Sequence, residues 1–230
     1  MFSIKSILLV LAGAAATVAL PFDVATRDPG TLVERDETLT TSGTGTYGGY
    51  YYSLYIQNNC CTTFKLGTGT YDVSWASGAE DVVAGIGWQT GSTSRVLTYT
   101  AKYGATGDTL IALYGWSTNP LVEYYVIDYV GTYNPCSGGT QLGQVTSDGG
   151  TYNICETTRT NAPSIQGTAT FHQYISVRTS NRLGGTITFA NHVKAWASHG
   201  LNLGAMNYQI LATEGYESNG ETVVTITSHN

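Results

Sequence analysis

The run LVEYYVIDYV, residues 121–130, is dense in Tyr, Val and Ile and reads as a β-strand. Side chains alternate along a strand, so Glu123 shares a face with Leu121, Tyr125 and Ile127, and Asp128 falls on the other. A second run, YQILATEGYE at 208–217, repeats the pattern: Glu214 shares its face with Tyr208, Ile210, Ala212 and Tyr216. A carboxylate among apolar and aromatic neighbours is costly unless it is paired or lines a cleft. Two such residues on strands far apart in sequence point to a pair. Glycosidic cleavage needs such a pair, one carboxylate for the sugar carbon and one carboxylic acid for the leaving oxygen. Burial and like-charge proximity would keep the second group protonated. Tyrosines on the same concave face would stack on sugar rings and hydrogen-bond their hydroxyls.

Outward from these strands the pattern persists. YYYSLYI (50–56), YDVSW (71–75), RVLTYTAKY (95–103), TLIALYGW (109–116), TATFHQYISVRT (168–179) and TVVTITS (222–228) alternate with Gly, Asn, Ser and Asp clusters. The 230 residues include 28 Gly and 17 Tyr but only 5 Pro and 2 Met. This predicts an all-β chain, a sandwich or jelly roll of antiparallel strands. One stretch differs. In ANHVKAWASHGL, 190–201, Val193, Trp196, Ala197 and Leu201 recur at helical spacing, with Asn191 expected to cap the start and Gly200 the end.

Residues 1–19, MFSIKSILLVLAGAAATVA, have the basic, apolar and small-residue regions of a secretory signal peptide. Residues 20–36 are mixed polar and suit a propeptide or a flexible arm, leaving 37–230 as a single domain of an exported protein. Charged residues are only 11% of the chain, and the net charge is −6. Residues 1–35 hold three basic and three acidic residues, so the remaining chain keeps 10 − 3 = 7 basic and 16 − 3 = 13 acidic. That balance gives no electrostatic basis for binding nucleic acid or an anionic membrane. Cys60, Cys61, Cys136 and Cys155 lack metal-site spacing, so no metal is expected. Cys136–Cys155 is the preferred disulfide, and the adjacent Cys60 and Cys61 are left without an assignment. The Gly-rich runs are turns rather than phosphate cradles, and no GxSxG elbow supports Ser-His-Asp catalysis. His172 is expected on the exterior, His192 and His199 to flank the helix, Trp88 and Trp116 to be structural or rim aromatics, and Glu217 and Glu221 to face solvent.

Beyond these readings, NPLVEYYV, GTYNP, VTSDGGTYNI, TRTNAPSI, GTATFHQY, SVRTS, HVKAWASHGLNLG, NYQILATEGYESNG and the terminal VTIT resemble, in order, the glycoside hydrolase family 11 endo-β-1,4-xylanases of filamentous fungi. The resemblance covers roughly residues 41–228. It implies a β-jelly roll of two curled antiparallel sheets with one helix and a deep cleft. It also implies retaining hydrolysis of internal xylan bonds by a monomer without a cofactor. Glu123 matches the nucleophile and Glu214 the general acid/base, with carboxyl groups expected about 5–5.5 Å apart. Tyr114 and Tyr125 match tyrosines beside the nucleophile, and Arg159 the arginine preceding the thumb. Pro163, Ser164 and Ile165 match the thumb tip, and Gln173 the glutamine beside the sugar subsites. Asp81, in EDVVAGIGW, matches a position beside the acid/base that is Asp in members with acidic optima. It would share a proton with Glu214.

Three positions depart from the family. Tyr55 and Ile175 stand where Trp is usual, and Leu110 where Tyr is common. Read together, they predict altered glycone recognition and weaker turnover. Tyr55 keeps a stacking platform. The segment QNNCCTTFKLGTGT, 57–70, lacks the family's Gly/Asp-rich turn. The departures leave two alternatives: a weakly active or inactive relative serving as a sugar-binding or host-interaction protein, or a glucanase acting on β-1,4-glucan.

Overall fold

The structure is a computed structural model, and it describes residues 37–230. These fall within one compact unit, Arg35–Asn230. The expected signal peptide, and the propeptide or arm, lie outside the described residues.

Thirteen strands and one helix follow in chain order: β1 (Glu37–Leu39), β2 (Gly43–Tyr47), β3 (Tyr50–Ile56), β4 (Thr62–Gly67), β5 (Thr70–Trp75), β6 (Asp81–Trp88), β7 (Val96–Thr118), β8 (Val122–Val130), β9 (Thr140–Ser147), β10 (Gly150–Ser164), β11 (Gly167–Arg178), β12 (Gly184–Thr188), α1 (Phe189–Ser198) and β13 (Ala205–His229). Two long strands build two layers. The later half of β13 joins β5 to the early half of β7, and β1, β4 and β12 complete an outer layer. The earlier half of β13 lies between β6 and the later half of β7, in an inner layer ordered β2-β3-β6-β13-β7-β8-β11-β10-β9. Both long strands turn the corner together. Gly107 takes φ +91°, and the register of β13 slips between Tyr216 and Asn219. A side chain at Gly107 would sit 3.0 Å from Ser218 Cβ in a backbone conformation that L-residues resist.

The ladders are antiparallel except β8 with β11, which is parallel. The reason lies in the β8–β9 connection. Its 3₁₀ turn, Pro135–Gly138, carries the chain across instead of folding it back, so β11 returns beside β8 in the same direction. Cys136 in that turn is bonded to Cys155 on β10, the expected disulfide. Cys60 and Cys61 are bonded to each other in the β3–β4 connection. Read as strand residues, they could not face one partner together. They lie instead in a tight turn with Asn59 and Cys61 at positive φ.

Phe64, Tyr71 and Val73 of the outer layer and Leu54, Ile86, Leu113 and Leu211 of the inner layer form the core between the layers. α1 closes the back of the inner layer. Phe189 and Trp196 pack on Tyr124, and the Trp196 indole donates to Ser176 Oγ at 3.0 Å. The helix starts one residue before the expected stretch. Thr188 is its N-cap residue, held by Asp148, while Asn191 sits inside the first turn and donates to Ser147 Oγ. Asn191 is thus not the cap, because Asp148 fixes the chain one turn earlier. Gly200, at φ +83°, follows the last turn as expected. His192 lies within the helix, fully buried, rather than at its flank.

Candidate functional site

The free face of the inner layer carries a second buried cluster that includes Tyr114, Trp116, Tyr125, Ile127, Ile175 and Ile210. Cross-strand register orders its side chains into rows. One row runs Tyr55, Val83, Glu214, Leu110, Val130. The next runs Ser53, Gly85, Ala212, Ala112, Ile127, and the third Tyr51, Gly87, Ile210, Tyr114, Tyr125, Ile175, Cys155. Glu123 lies beyond, between Trp116 and Gln173. The small residues between the Glu214 row and the tyrosine row let the sheet curl tightly. A Cβ on Gly85 would meet Leu211 O at 2.3 Å, and one on Gly87 would meet Gln209 O at 2.2 Å.

That curl brings the two glutamates together. The charge of Glu123 acts on Glu214, and both glutamates act on Tyr125 between them. Glu123 is buried, 8% exposed, and its oxygens are divided between two donors. Tyr114 Oη donates to Oε1 at 2.7 Å, and Gln173 Nε2 donates to Oε2 at 2.7 Å. Behind each stands a supporting group: Trp116 Nε1 donates to Tyr114 Oη, and Gln173 Oε1 accepts from Thr157 Oγ1. Asp81 joins through the cross-strand pair Asp81–Tyr216, and Arg159 acts electrostatically on both Asp81 and Glu123.

A family model of the glycosyl hydrolases family 11 matches residues 47–225. The chain belongs to that family. It is a glycoside hydrolase. It is 47% identical over 228 residues to endo-1,4-beta-xylanase 11A of Botryotinia fuckeliana, covering 98% of this chain and all of that one. It is 48% identical to endo-1,4-beta-xylanase B of Phanerodontia chrysosporium, covering 98% of this chain and 76% of the relative. It is 44% identical to ethylene-inducing xylanase 1 of Botryotinia fuckeliana, covering 99% and 79%. A solved structure from a comparison of two major endo-1,4-beta-xylanases of Trichoderma reesei superposes with a TM-score of 0.72 at 42% identity, covering 81% of this chain and all of that one. The all-β jelly roll expected from the sequence is the fold of this family 11 chain.

The acids of this face are perturbed for distinct reasons. Burial raises Glu123, and the hydrogen bonds from Tyr114, Gln173 and Tyr125 oppose it. Burial raises Glu214 well above the usual carboxyl range, and the charges of Asp81 and Glu123 add to it. Asp81 is pushed up to about 6, by burial first and by Glu123 next, with Arg159 opposing. Asp81 Oδ1 and Glu214 Oε2 are buried with no hydrogen-bond partner among the described residues.

The β10–β11 hairpin reaches over this face. Its register slips between Arg159 and Ala162, and Asn161 takes positive φ. At its tip Ser164 Oγ donates to Gly167 O and accepts from Gln166 N, while Ile165 packs toward the cleft cluster and Pro163 is exposed. Tyr55 and Leu110 do flank Glu214, but Ile175 stands in the tyrosine row, buried against Cys155. The three departures therefore do not form one patch, because a four-residue offset along β13 separates their rows. Trp116 is a buried structural aromatic, as expected, and its indole donates to Tyr114 Oη. Two residues of this face escaped the sequence reading. Tyr51, 5.7 Å from Tyr208 between ring centres, and Asp108, opposite Tyr216, needed cross-strand register to be placed. His172 is on the exterior and pairs with Glu156 at 2.8 Å, and Glu217 and Glu221 are exposed, as expected. No helix among the described residues is long and apolar enough to cross a membrane.

Proposed function

We infer that the protein is a secreted, monomeric, retaining endo-1,4-β-xylanase with an acidic pH optimum, its catalytic domain being 37–230. The observation that carries this reading is a pair of carboxyls on one face held in opposite states: Glu123, buried and held by Tyr114 and Gln173, and Glu214, whose proton is retained by burial and by the charges of Asp81 and Glu123. The arrangement is satisfied with Glu123 ionised, accepting from its two donors, and Glu214 neutral. That is the starting state of double displacement. Glu123 attacks the anomeric carbon, the glycosidic C–O bond breaks, and the proton of Glu214 goes to the leaving oxygen. A glycosyl ester on Glu123 results. Water then attacks the same carbon, giving its proton to Glu214 and freeing Glu123.

Asp81 sets the basic limit. Asp81 Oδ1 and Glu214 Oε2 are buried without a donor among the described residues, and burial without a donor favours the neutral form of each carboxyl. In the working form Glu123 is ionised and both Asp81 and Glu214 are neutral. Activity then falls as the pair loses its first proton, at about 6. The acid limb belongs to Glu123. Xylan would lie along the face, with Tyr55 as a stacking platform, Gln173 and Arg159 at the sugar hydroxyls, and Pro163, Ser164 and Ile165 covering the bound chain. The relatives' names support xylan as substrate, and the sequence of residues 1–19 supports export.

The test is reducing-sugar release from unsubstituted xylan across acid to mildly alkaline pH, beside a Glu123→Gln control. Acid-peaked activity, lost by at least about a thousandfold in the control, is expected. Activity on carboxymethylcellulose but not xylan would transfer the reading to β-1,4-glucan. Inactivity on both would leave a sugar-binding or interaction protein.

A further inference from the structure

Asp81 has a counterpart on the other side of β13. Tyr216 pairs with Asp81 on β6 and with Asp108 on β7, so the three side chains stand in one cross-strand row on the cleft face. Glu214 lies two residues before Tyr216 on that face, which makes both aspartates its diagonal neighbours, typically about 7–8 Å away between backbones. Asp108 is partly buried. Its backbone is fixed by the corner of β7, where Gly107 O accepts from Thr132 N and Thr109 O accepts from Gly131 N. Among the described residues, Lys and Arg ion pairs engage Asp72 and Asp128, and none engages Asp108.

The groups around Glu214 come from four elements. Tyr216 stands on its own strand, Asp81 on β6, Asp108 on β7, and Glu123 and Tyr125 on β8. Arg159 of the hairpin and Glu80 act on the cluster through Asp81. The charge of Asp108 raises both Asp81 and Glu214, and at Glu214 it acts more weakly than that of Asp81.

We propose that Asp108 is a positioning residue for the acid/base: its carboxylate holds protons on the Asp81–Glu214 pair from the side of β13 opposite Asp81. The two aspartates then act in opposite senses. Asp81 is a member of the pair, so its own ionisation ends activity early. Asp108 stays outside the pair and raises the pH at which the pair ionises. The proposal rests on the reading of Glu214 as the acid.

The experiment compares pH profiles of kcat/KM for wild type, Asp108→Asn, Asp108→Glu and Asp81→Asn at low ionic strength, with a carbon-13 titration of the Glu214 carboxyl. Asp108→Asn is expected to move the basic limb and the Glu214 titration toward acid by about half a pH unit. Asp108→Glu should restore the wild-type limb, and Asp81→Asn should move it the other way. Asp108→Ser replaces Asp108→Asn if the amide variant melts early. An unmoved limb and titration in a well-folded variant overturns the proposal, as does a shift toward alkali. Because Glu123→Gln is run alongside, loss of activity there with an unmoved Asp108→Asn limb would overturn this inference and leave the function intact.

Discussion

Burial and hydrogen bonding pull Glu123 in opposite directions, and Tyr114 is one of the groups that lower it. Removing its hydroxyl by Tyr114→Phe leaves Glu123 Oε1 without that 2.7 Å donor. The carboxyl should then rise further, and the acid limb of the pH profile should move upward. A buried acceptor losing its donor costs about 1–3 kcal/mol, read as a lower melting temperature near neutral pH, where Glu123 is charged. Asp81→Asn tests the other limb. With only Glu214 left to hold a proton, the step at about 6 disappears, and the basic limb should move toward alkali. An unchanged profile would remove Asp81 from the mechanism. The two glutamates were legible from alternation because each broke an apolar face. Asp108 was not, since a carboxyl beside the Gly107 corner looks like any turn residue until register places it opposite Tyr216.

The element with a pH liability is α1. His192 is fully buried within it, edge-on to Tyr152, and neither ring nitrogen has a hydrogen-bond partner among the described residues. Burial lowers it from 6.5 to about 4, against the opposing charge of Asp148. The sign follows from its depressed value: the unfolded chain takes up the proton first. The fold therefore has this contribution in full above about 6.5 and loses it progressively down to about 4. The loss is on the order of 3 kcal/mol. His192→Phe should flatten the fall of melting temperature between these limits, whereas an equally steep fall would clear His192 of the effect. The helix itself was legible from Trp196 and its apolar companions. Its start was not, because Asp148, some forty residues earlier, holds Thr188 as the N-cap residue. The Cys60–Cys61 bond, left without an assignment, lies in a turn whose positive φ at Asn59 and Cys61 no hydrophobic pattern announces.

Across the described residues, two long strands bending at one corner build both layers, so the face that carries the glutamates depends on how the layers are tied. Cys136–Cys155 ties the β8–β9 connection to β10, behind Ile175 and one row from Gln173. Replacing both cysteines with alanine should cost about 3 kcal/mol in the chain-entropy description, seen as a lower unfolding midpoint with the denaturant slope nearly kept. An unchanged midpoint would mean that the tie adds nothing to the folded layers. Fold class and the carboxylate pair followed from period-two alternation, a local property. The grouping of Tyr55 and Leu110 around Glu214, apart from Ile175, followed only from the register of six strands. If Glu123 attacks the sugar carbon and water then displaces it, the product keeps the configuration of the bond that was cut. Proton NMR of a xylo-oligosaccharide in the first moments of hydrolysis tests it most directly. The new reducing end should appear first as the β-anomer and mutarotate slowly to the mixture, while first appearance of the α-anomer would contradict the mechanism.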